Sequence, residues 1–359
     1  MKKAFYHRLN RHLESFLEIR KTERLWHFPF LAGICVGLCL FAGWYFDQPV
    51  YGNISSLGAL TILYFTHSSL EKRIIHLIVA AFGMTFAFMI GLVFSFNPWI
   101  SALSLAFITF LAHLVTSWFD IPPPRNFFFI MVAAVATNIK FNMEMLPFRV
   151  GVFAMGAMLS VLLAFFYSVF IAKKVVDLPK RRVSRKRRYT KTVESSILAI
   201  TLFIAILVGY SVDASSPYWI PVSALAVLQG KDLTHTSQRN LHRILGTFLG
   251  IGLTWIILAA EPNALALVFI IGSLQFIIEL LVVRNYLLAA IFITPMTILL
   301  VESAGGNHFD MNVVMNARLI DTVIGSLIGS FAGWILHHNG IISNLEKKFR
   351  STEITFRRK

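Results

Sequence analysis

"FPFLAGICVGLCLFAGWYF", residues 28–46, contains nineteen residues and no charged side chain. A helix of this length crosses the hydrocarbon core of a bilayer, and a soluble core would not need it. Similar apolar runs recur along the 359 residues, of which 56% are hydrophobic and 14% are charged. The first run follows a long basic segment and has no small-residue cleavage site, which favours a retained membrane span over a signal peptide. We therefore expect an all-α polytopic membrane protein.

Twelve segments are predicted as membrane spans from their apolar length. The Lys and Arg residues orient them, because these residues concentrate in the cytoplasmic loops of membrane proteins. With a cytoplasmic N-terminus, all but three of the 33 Lys and Arg lie on the inside, and both termini are cytoplasmic. The predicted spans are 28–46, 49–66, 74–95, 98–117, 126–141, 148–171, 193–212, 217–230, 241–260, 262–282, 285–301 and 314–336.

The two halves of the chain resemble each other in sequence. "VYGNISSLGAL" (50–60) aligns with "PYWIPVSALAV" (217–227), and "RVGVFAMGAMLSVLLA" (149–164) aligns with "RLIDTVIGSLIGSFAG" (318–333). The matching stretches occur in the same order in both halves, so we infer two repeats of six spans each. Because six spans return the chain to the side on which it started, both repeats have the same orientation in the membrane. The matches include Tyr51 with Tyr218, Ser56 with Ser223, Arg125-Asn126 with Arg284-Asn285, Arg149 with Arg318, and Gly156, Ser160 and Ala164 with Gly325, Gly329 and Gly333.

The repeat divides the chain into five predicted segments. Nothing outside the spans is long enough to form a sizeable soluble domain. The net charge of +15 is expected to hold the protein against anionic lipids, in the inner (cell) membrane of a bacterium, rather than against nucleic acid. The segments are a basic amphipathic cytoplasmic segment (1–27), the first six-helix repeat (28–172), a basic cytoplasmic linker (173–191), the second six-helix repeat (192–337) and a basic cytoplasmic tail (338–359).

Glycines and cysteines inside the spans are expected to serve packing. Gly246 and Gly250 are spaced four residues apart, as are Gly33 and Gly37, and such spacing lets helix backbones approach closely in a membrane. The same spacing runs through Gly325, Gly329 and Gly333. The two cysteines, Cys35 and Cys39, lie one turn apart within the first span, where they behave as small apolar residues.

The second span of each repeat is the least regular. It is interrupted by Gly and Pro or unusually short, and such spans at matching positions often line the substrate path of a transporter. The alternative is a short span that is tilted within the bundle. The candidate path residues here are Asn53, Ser56, Tyr218, Trp219, Pro221 and Ser223.

Arg149 and Arg318 each open the last span of a repeat from the outer side, against the charge bias. Repeat symmetry would place both near the central axis, where two guanidinium groups attract a carboxylate. Alternatively, each arginine extends to the lipid headgroups, or Asp321, one turn after Arg318, pairs with it. His76 and His113 lie near cytoplasmic helix ends, where they either couple transport to protons or are ordinary helix-terminal residues.

The stretch 217–258 resembles the signature of the fusaric acid resistance protein-like family. This family includes aromatic acid exporters and is related to the aluminium-activated malate transporters. The resemblance implies efflux or conduction of small organic anions, and in the malate-transporter relatives two six-span chains pair around one path. The first repeat departs from the signature, with His76 in place of the arginine and Val79-Ala80 in place of Gly-Thr. The residues that carry the resemblance are Tyr218, Trp219, Pro221, Arg243, Gly246, Thr247 and Gly250.

The expected function is a membrane transporter or channel for small organic anions, aromatic ones included, in the direction of efflux. The sequence contains no phosphate-binding Walker A loop, no HExxH metal pair and no GxSxG nucleophile motif, so we expect no enzyme, no cofactor and no metal. The alternative is a non-transporting membrane scaffold or a lipid-modifying membrane enzyme. A homo-oligomer is compatible with either.

Overall fold

The computed structural model describes residue 22 and residues 25–66, 68–171, 188–212, 216–302, 311–338 and 340–347. Between residues 27 and 337 these ranges form twelve α-helices and no strand. Residues 340–347 are also helical. The helices are α1 (His27–Tyr45), α2 (Pro49–Ala59), α3 (Leu70–Val93), α4 (Pro98–Trp118), α5 (Phe127–Thr137), α6 (Leu146–Phe170), α7 (Arg188–Ser211), α8 (Trp219–Leu228), α9 (Leu233–Ala259), α10 (Ala264–Leu281), α11 (Tyr286–Glu302) and α12 (Met311–His337).

Eight of these helices are long and apolar enough to cross a membrane. The prediction of a multi-pass helical membrane protein is therefore confirmed. The other four, α2, α5, α8 and α11, are shorter, and they are the second and fifth helices of each half. A 3₁₀ turn, Leu60–Tyr64, extends α2. The short helices lie at matching positions in the two halves.

Several helices begin at residues other than those predicted from the apolar runs. α9 begins at Leu233 rather than at 241, because the side chain of Asp232 accepts a hydrogen bond from the backbone N–H of His235 and caps the first turn. α7 begins at Arg188, inside the predicted linker. The predicted amphipathic helix within residues 1–27 and most of the linker lie outside the described residues.

The same packing order occurs in each half. α1 packs on α2, α2 on α6, and α3 on both α5 and α6. In the second half α7 packs on α8, α8 on α12, and α9 on both α11 and α12. Two seams join the halves, since α1 packs against α10 and α4 packs against α7. The space between the seams is walled by the short helices of both halves.

Glycines allow the closest of these helix contacts. A Cβ atom at Gly156 would overlap the carbonyl oxygen of Ser55 on α2, and one at Gly325 would overlap that of Ile220 on α8. On α1, a Cβ atom at Gly33 would lie 2.7 Å from the carbonyl oxygen of Gly272. The predicted role of the spaced glycines in packing is therefore confirmed.

We expect Gly325→Ala to lower the free energy of unfolding by about 1–3 kcal/mol, because the new methyl group meets backbone that has to shift. Gly252→Ala is the matched control, since Gly252 is also helical but has no atom within 4 Å of its Cβ position. Thermal unfolding of both variants in detergent measures the difference. Equal stability of the two variants would contradict the packing role of Gly325.

Candidate functional site: a cavity between the two halves

A cavity of about 900 Å³ lies between the two halves. Its apolar walls come from the short helices, with Leu57 on α2, Met131 on α5, Val222 on α8 and Ile293 on α11. Aromatic rings at Phe65, Phe127, Phe128, Trp219 and Tyr286 line it as well. A cavity of this size and composition accommodates a small organic molecule.

One end of the cavity is basic. Each of its basic residues lies in a segment that the charge bias assigns to the cytoplasm. Two carboxylates, Glu194 and Glu279, and four histidines, His113, His235, His242 and His337, also line the cavity. The excess of positive charge attracts anions from solution. We call the following residues the basic mouth: Arg125, Lys231, Arg239, Arg243 and Arg284.

Backbone contacts fix two of these arginines. Arg239 donates from Nε to the carbonyl oxygen of Ala226 at 2.9 Å, and its guanidinium lies over the ring of Tyr286 at 4.1 Å. The carbonyl oxygen of Arg125 accepts a hydrogen bond from the hydroxyl of Tyr64 at 2.8 Å. The Arg239 side chain is therefore held in place before an anion binds, which lowers the entropy lost on binding, whereas in Arg125 it is the backbone that is held.

Trp219 and Thr297 also line the cavity. Behind them lies Arg318, which is only 2% exposed. Its guanidinium carbon is 3.2 Å from the centre of the Trp219 ring, and its Nη2 donates to the Thr297 hydroxyl at 3.1 Å. Asp321, one turn later on α12, is 3% exposed. Arg318 therefore supports the cavity wall from behind.

Arg149 has different surroundings from Arg318. It is half-buried at the beginning of α6, where Nη1 donates to the carbonyl oxygen of Lys140 at 2.8 Å. Among the described residues, the lining of the cavity includes neither Arg149 nor Arg318. The predicted carboxylate site formed by both arginines stays a prediction, and the cavity offers a different set of cations.

Comparison with known proteins identifies the second half. Residues 204–332, from within α7 to α12, match the model of the fusaric acid resistance protein-like family. Most of the second half is thus similar to the fusaric acid resistance protein-like family. A stretch of 141 residues is 37% identical to the uncharacterized membrane protein YvaC of Bacillus subtilis (strain 168) and covers 38% of this chain. The match spans 22% of that relative's length. No solved structure matches the chain.

The matched region, residues 204–332, contains most of the predicted path residues. Tyr218, Trp219, Pro221 and Ser223 are all buried on or next to α8, and of these four only Trp219 lines the cavity. Arg243 lines the cavity as well, whereas Gly246 and Gly250 pack against α11.

The remaining predicted residues belong to the first half. Ser56 on α2 is buried and donates to the carbonyl oxygen of Asn53 at 2.7 Å. His113 lines the cavity, with its Nδ1 2.9 Å from the hydroxyl of Ser195 across the seam between α4 and α7. His76 is half-buried on α3 and is not part of the described lining.

The sequence did not indicate that the residues of the basic mouth share a cavity. Arg125-Asn126 and Arg284-Asn285 were identified only as orientation charges and as a repeat match, and Arg243 only as part of the family resemblance, although all three arginines line the cavity. That repeated dipeptide was the available signal. Within the described ranges, no group of three or more His, Cys, Asp and Glu residues is placed to hold a metal ion.

We expect Arg318→Ala to lower the free energy of unfolding by about 3 kcal/mol more than Arg149→Ala. Arg318 loses a desolvated cation–π contact and a charged hydrogen bond, whereas Arg149 loses one hydrogen bond near the surface. Thermal unfolding of the purified variants in one detergent makes the comparison. An equal loss of unfolding free energy in the two variants would show that the contacts of Arg318 stabilise the protein no more than those of Arg149.

Proposed function

We propose that the chain is an integral membrane transporter or channel for small organic anions, aromatic ones included, and that it works in efflux. The observation that carries the proposal is the cavity between the halves, which combines the basic mouth with aromatic walls. The family match supports a transport role, since the family is described as fusaric acid resistance protein-like. The relative YvaC, an uncharacterized membrane protein, supports membrane localisation only.

The chemistry of the cavity fits an aromatic carboxylate. A carboxylate accepts charge-assisted hydrogen bonds from guanidinium groups, which are strong because the donor is ionised. A ring can stack on Phe127, Phe128 or Trp219, which line the apolar part. Five cations against two carboxylates leave the lining cationic, so that an anion is favoured over a neutral or cationic molecule.

The architecture that we propose is two parallel six-helix repeats with twelve membrane crossings. The main helix contacts of the first half recur between the corresponding helices of the second half, which supports this architecture. The two seams, α1 with α10 and α4 with α7, also involve corresponding helices. One chain then supplies both six-helix blocks around one cavity. A further homo-oligomer is compatible with this arrangement.

The orientation that we propose places both termini and the basic mouth in the cytoplasm of a bacterial cell. The Lys and Arg distribution supports this, since all but three of the 33 lie in the segments on that side. Substrate would enter from the cytoplasm, as efflux requires. The same basic surface would bind anionic lipids of the inner leaflet.

We expect Lys231→Glu to lower the initial rate of benzoate counterflow in proteoliposomes about threefold to tenfold at low ionic strength. Lys231 is exposed at the basic mouth, where a charge reversal weakens the attraction of anions. The effect should shrink at high salt, because exposed charges are screened. Lys72→Glu is the matched control, since Lys72 is exposed on the same predicted side but does not line the cavity.

A panel of monocarboxylates and dicarboxylates tests the proposal as a whole. The proposal is supported if the wild type shows saturable counterflow of at least one carboxylate and Lys231→Glu lowers the initial rate more than Lys72→Glu does. Counterflow no faster than in protein-free liposomes for the whole panel would refute organic-anion transport. Equal slowing by Lys72→Glu would remove the basic mouth from the pathway.

A further inference from the structure

Among the buried polar atoms of the second half that have no hydrogen-bond partner within the part of the chain that the structure describes, six lie on three neighbouring helices. The residues are 0–4% exposed. An unsatisfied buried polar group costs about 1–3 kcal/mol, so six of them close together require an explanation. They are Trp219 Nε1, Ser223 Oγ, Arg243 Nε, Thr247 Oγ1, Thr322 Oγ1 and Ser326 Oγ, which we call the donor cluster.

The donor cluster consists of three pairs, one on each of three helices. Members of a pair are four residues apart and therefore lie on one helix face. Most other buried hydroxyls in the protein donate to a backbone carbonyl of their own helix, as Thr109 does to Leu105 at 2.7 Å. The pairs are Trp219 and Ser223 on α8, Arg243 and Thr247 on α9, and Thr322 and Ser326 on α12.

Helix contacts bring the pairs on α9 and α12 to the same level. Gly333 on α12 packs against Thr236 on α9, and the two helices are antiparallel. Ser326 is seven residues before Gly333, and Arg243 is seven residues after Thr236, which is about 10 Å along either axis. Thr322 and Thr247 are each four residues further along.

The pair on α8 joins this group through α12. Gly325, next to Ser326, packs against Ile220 and against Ser223 itself. The ring of Trp219 lies against the guanidinium of Arg318, which is one turn before Thr322. The three pairs therefore enclose one polar interior between α8, α9 and α12.

The donor cluster borders the cavity. Arg243 lines the cavity at the basic mouth and Trp219 lines it at the beginning of α8, whereas the four hydroxyls are not part of the described lining. The indole and guanidinium N–H groups only donate, and the hydroxyl groups can also donate. Such a set of groups suits a carboxylate or another anion and is unsuited to a metal cation.

The first half is apolar at four of the six matching positions, whereas Ser56 matches Ser223 and His76 matches Arg243. Gly52 stands at the position of Trp219 and Ala80 at that of Thr247, while Phe153 and Ala157 match Thr322 and Ser326. The ring of Phe153 is 0% exposed and stacks on Phe88, with ring centres 4.4 Å apart. The equivalent interior of the first half is thus filled by packed rings.

We propose that the transported anion leaves the cavity through the donor cluster, so that its path runs inside the second half and not along the axis between the halves. The proposal rests on the proposed function for the identity of the anion as a carboxylate. In this path Arg243 receives the carboxylate at the basic mouth. The hydroxyls of Ser326, Ser223, Thr247 and Thr322 then replace its hydration shell, and Trp219 Nε1 donates to it near Thr322, on the way to the other face. The first half supports the path and completes the cavity wall.

Cysteine accessibility tests the path without knowledge of the substrate. The only two cysteines, Cys35 and Cys39, are replaced by alanine in the full chain, and single cysteines are then introduced. Thr247→Cys and Ser326→Cys probe the donor cluster, and Ala80→Cys and Ala157→Cys are their matched positions in the first half. Each variant in lipid nanodiscs is treated with anionic sulfonatoethyl methanethiosulfonate and with its cationic trimethylammonium analogue.

We expect the anionic reagent to modify Thr247→Cys and Ser326→Cys at least about tenfold faster than the two first-half variants. We also expect it to react faster than the cationic reagent in the donor cluster. Elution by size exclusion as for the wild type establishes folding. Ser160→Cys, a replacement of similar size at a 0% exposed site of the first half, stands in for any first-half variant that fails to fold.

Equal modification rates in the two halves, or no modification of either donor-cluster variant, would overturn the proposal. Benzoate counterflow by the wild type separates this result from a failure of the proposed function. Transport without modification of the donor cluster would retain organic-anion transport and move its path elsewhere. Selective modification without transport of any carboxylate would retain an anion path through the second half and remove the proposed substrate class.

Discussion

Close approach of helix backbones at glycine is the interaction on which the rest of the structure depends. Helices in a bilayer gain little from hydrophobic burial against each other, so they associate where small residues permit extensive contact. Gly156 on α6 meets Ser55 on α2, and Gly325 on α12 meets Ile220 on α8. These contacts hold the short helices α2 and α8 against long neighbours. Because the short helices wall the cavity, helix packing also determines its shape.

The cavity places positive charge in a region where ions are poorly solvated. Its arginines are stabilised by backbone carbonyls and aromatic faces, as Arg239 is by Ala226 and Tyr286. Such support leaves the guanidinium groups directed at the cavity, where an anion would supply the remaining interactions. The two halves contribute unequally, because the first half fills its interior with the stacked rings of Phe88 and Phe153. The two halves, although their helices pack in the same order, therefore differ in their interiors.

Apolar length and glycine spacing predicted where the helices and their close contacts lie. The helix that departed most, α9, begins earlier because Asp232 caps a polar first turn that hydropathy does not detect. Repeat alignment did not predict the different surroundings of Arg149 and Arg318. Trp219 gives Arg318 a ring to stack on, whereas Gly52 at the matching position offers none. The basic mouth combines residues of α9 with residues of three loops that are distant in sequence, so the sequence indicated its residues without showing that they share a cavity.

Equilibrium binding of radiolabelled benzoate to the full chain in lipid nanodiscs tests most directly whether the cavity is an anion site. The account predicts saturable binding at one site per chain, displaced by other carboxylates. Arg243→Gln should weaken it about tenfold or more, since one charge-assisted contact is lost from the cavity. Binding that does not saturate and does not exceed that of protein-free nanodiscs would contradict the account, as would saturable binding that Arg243→Gln leaves unchanged.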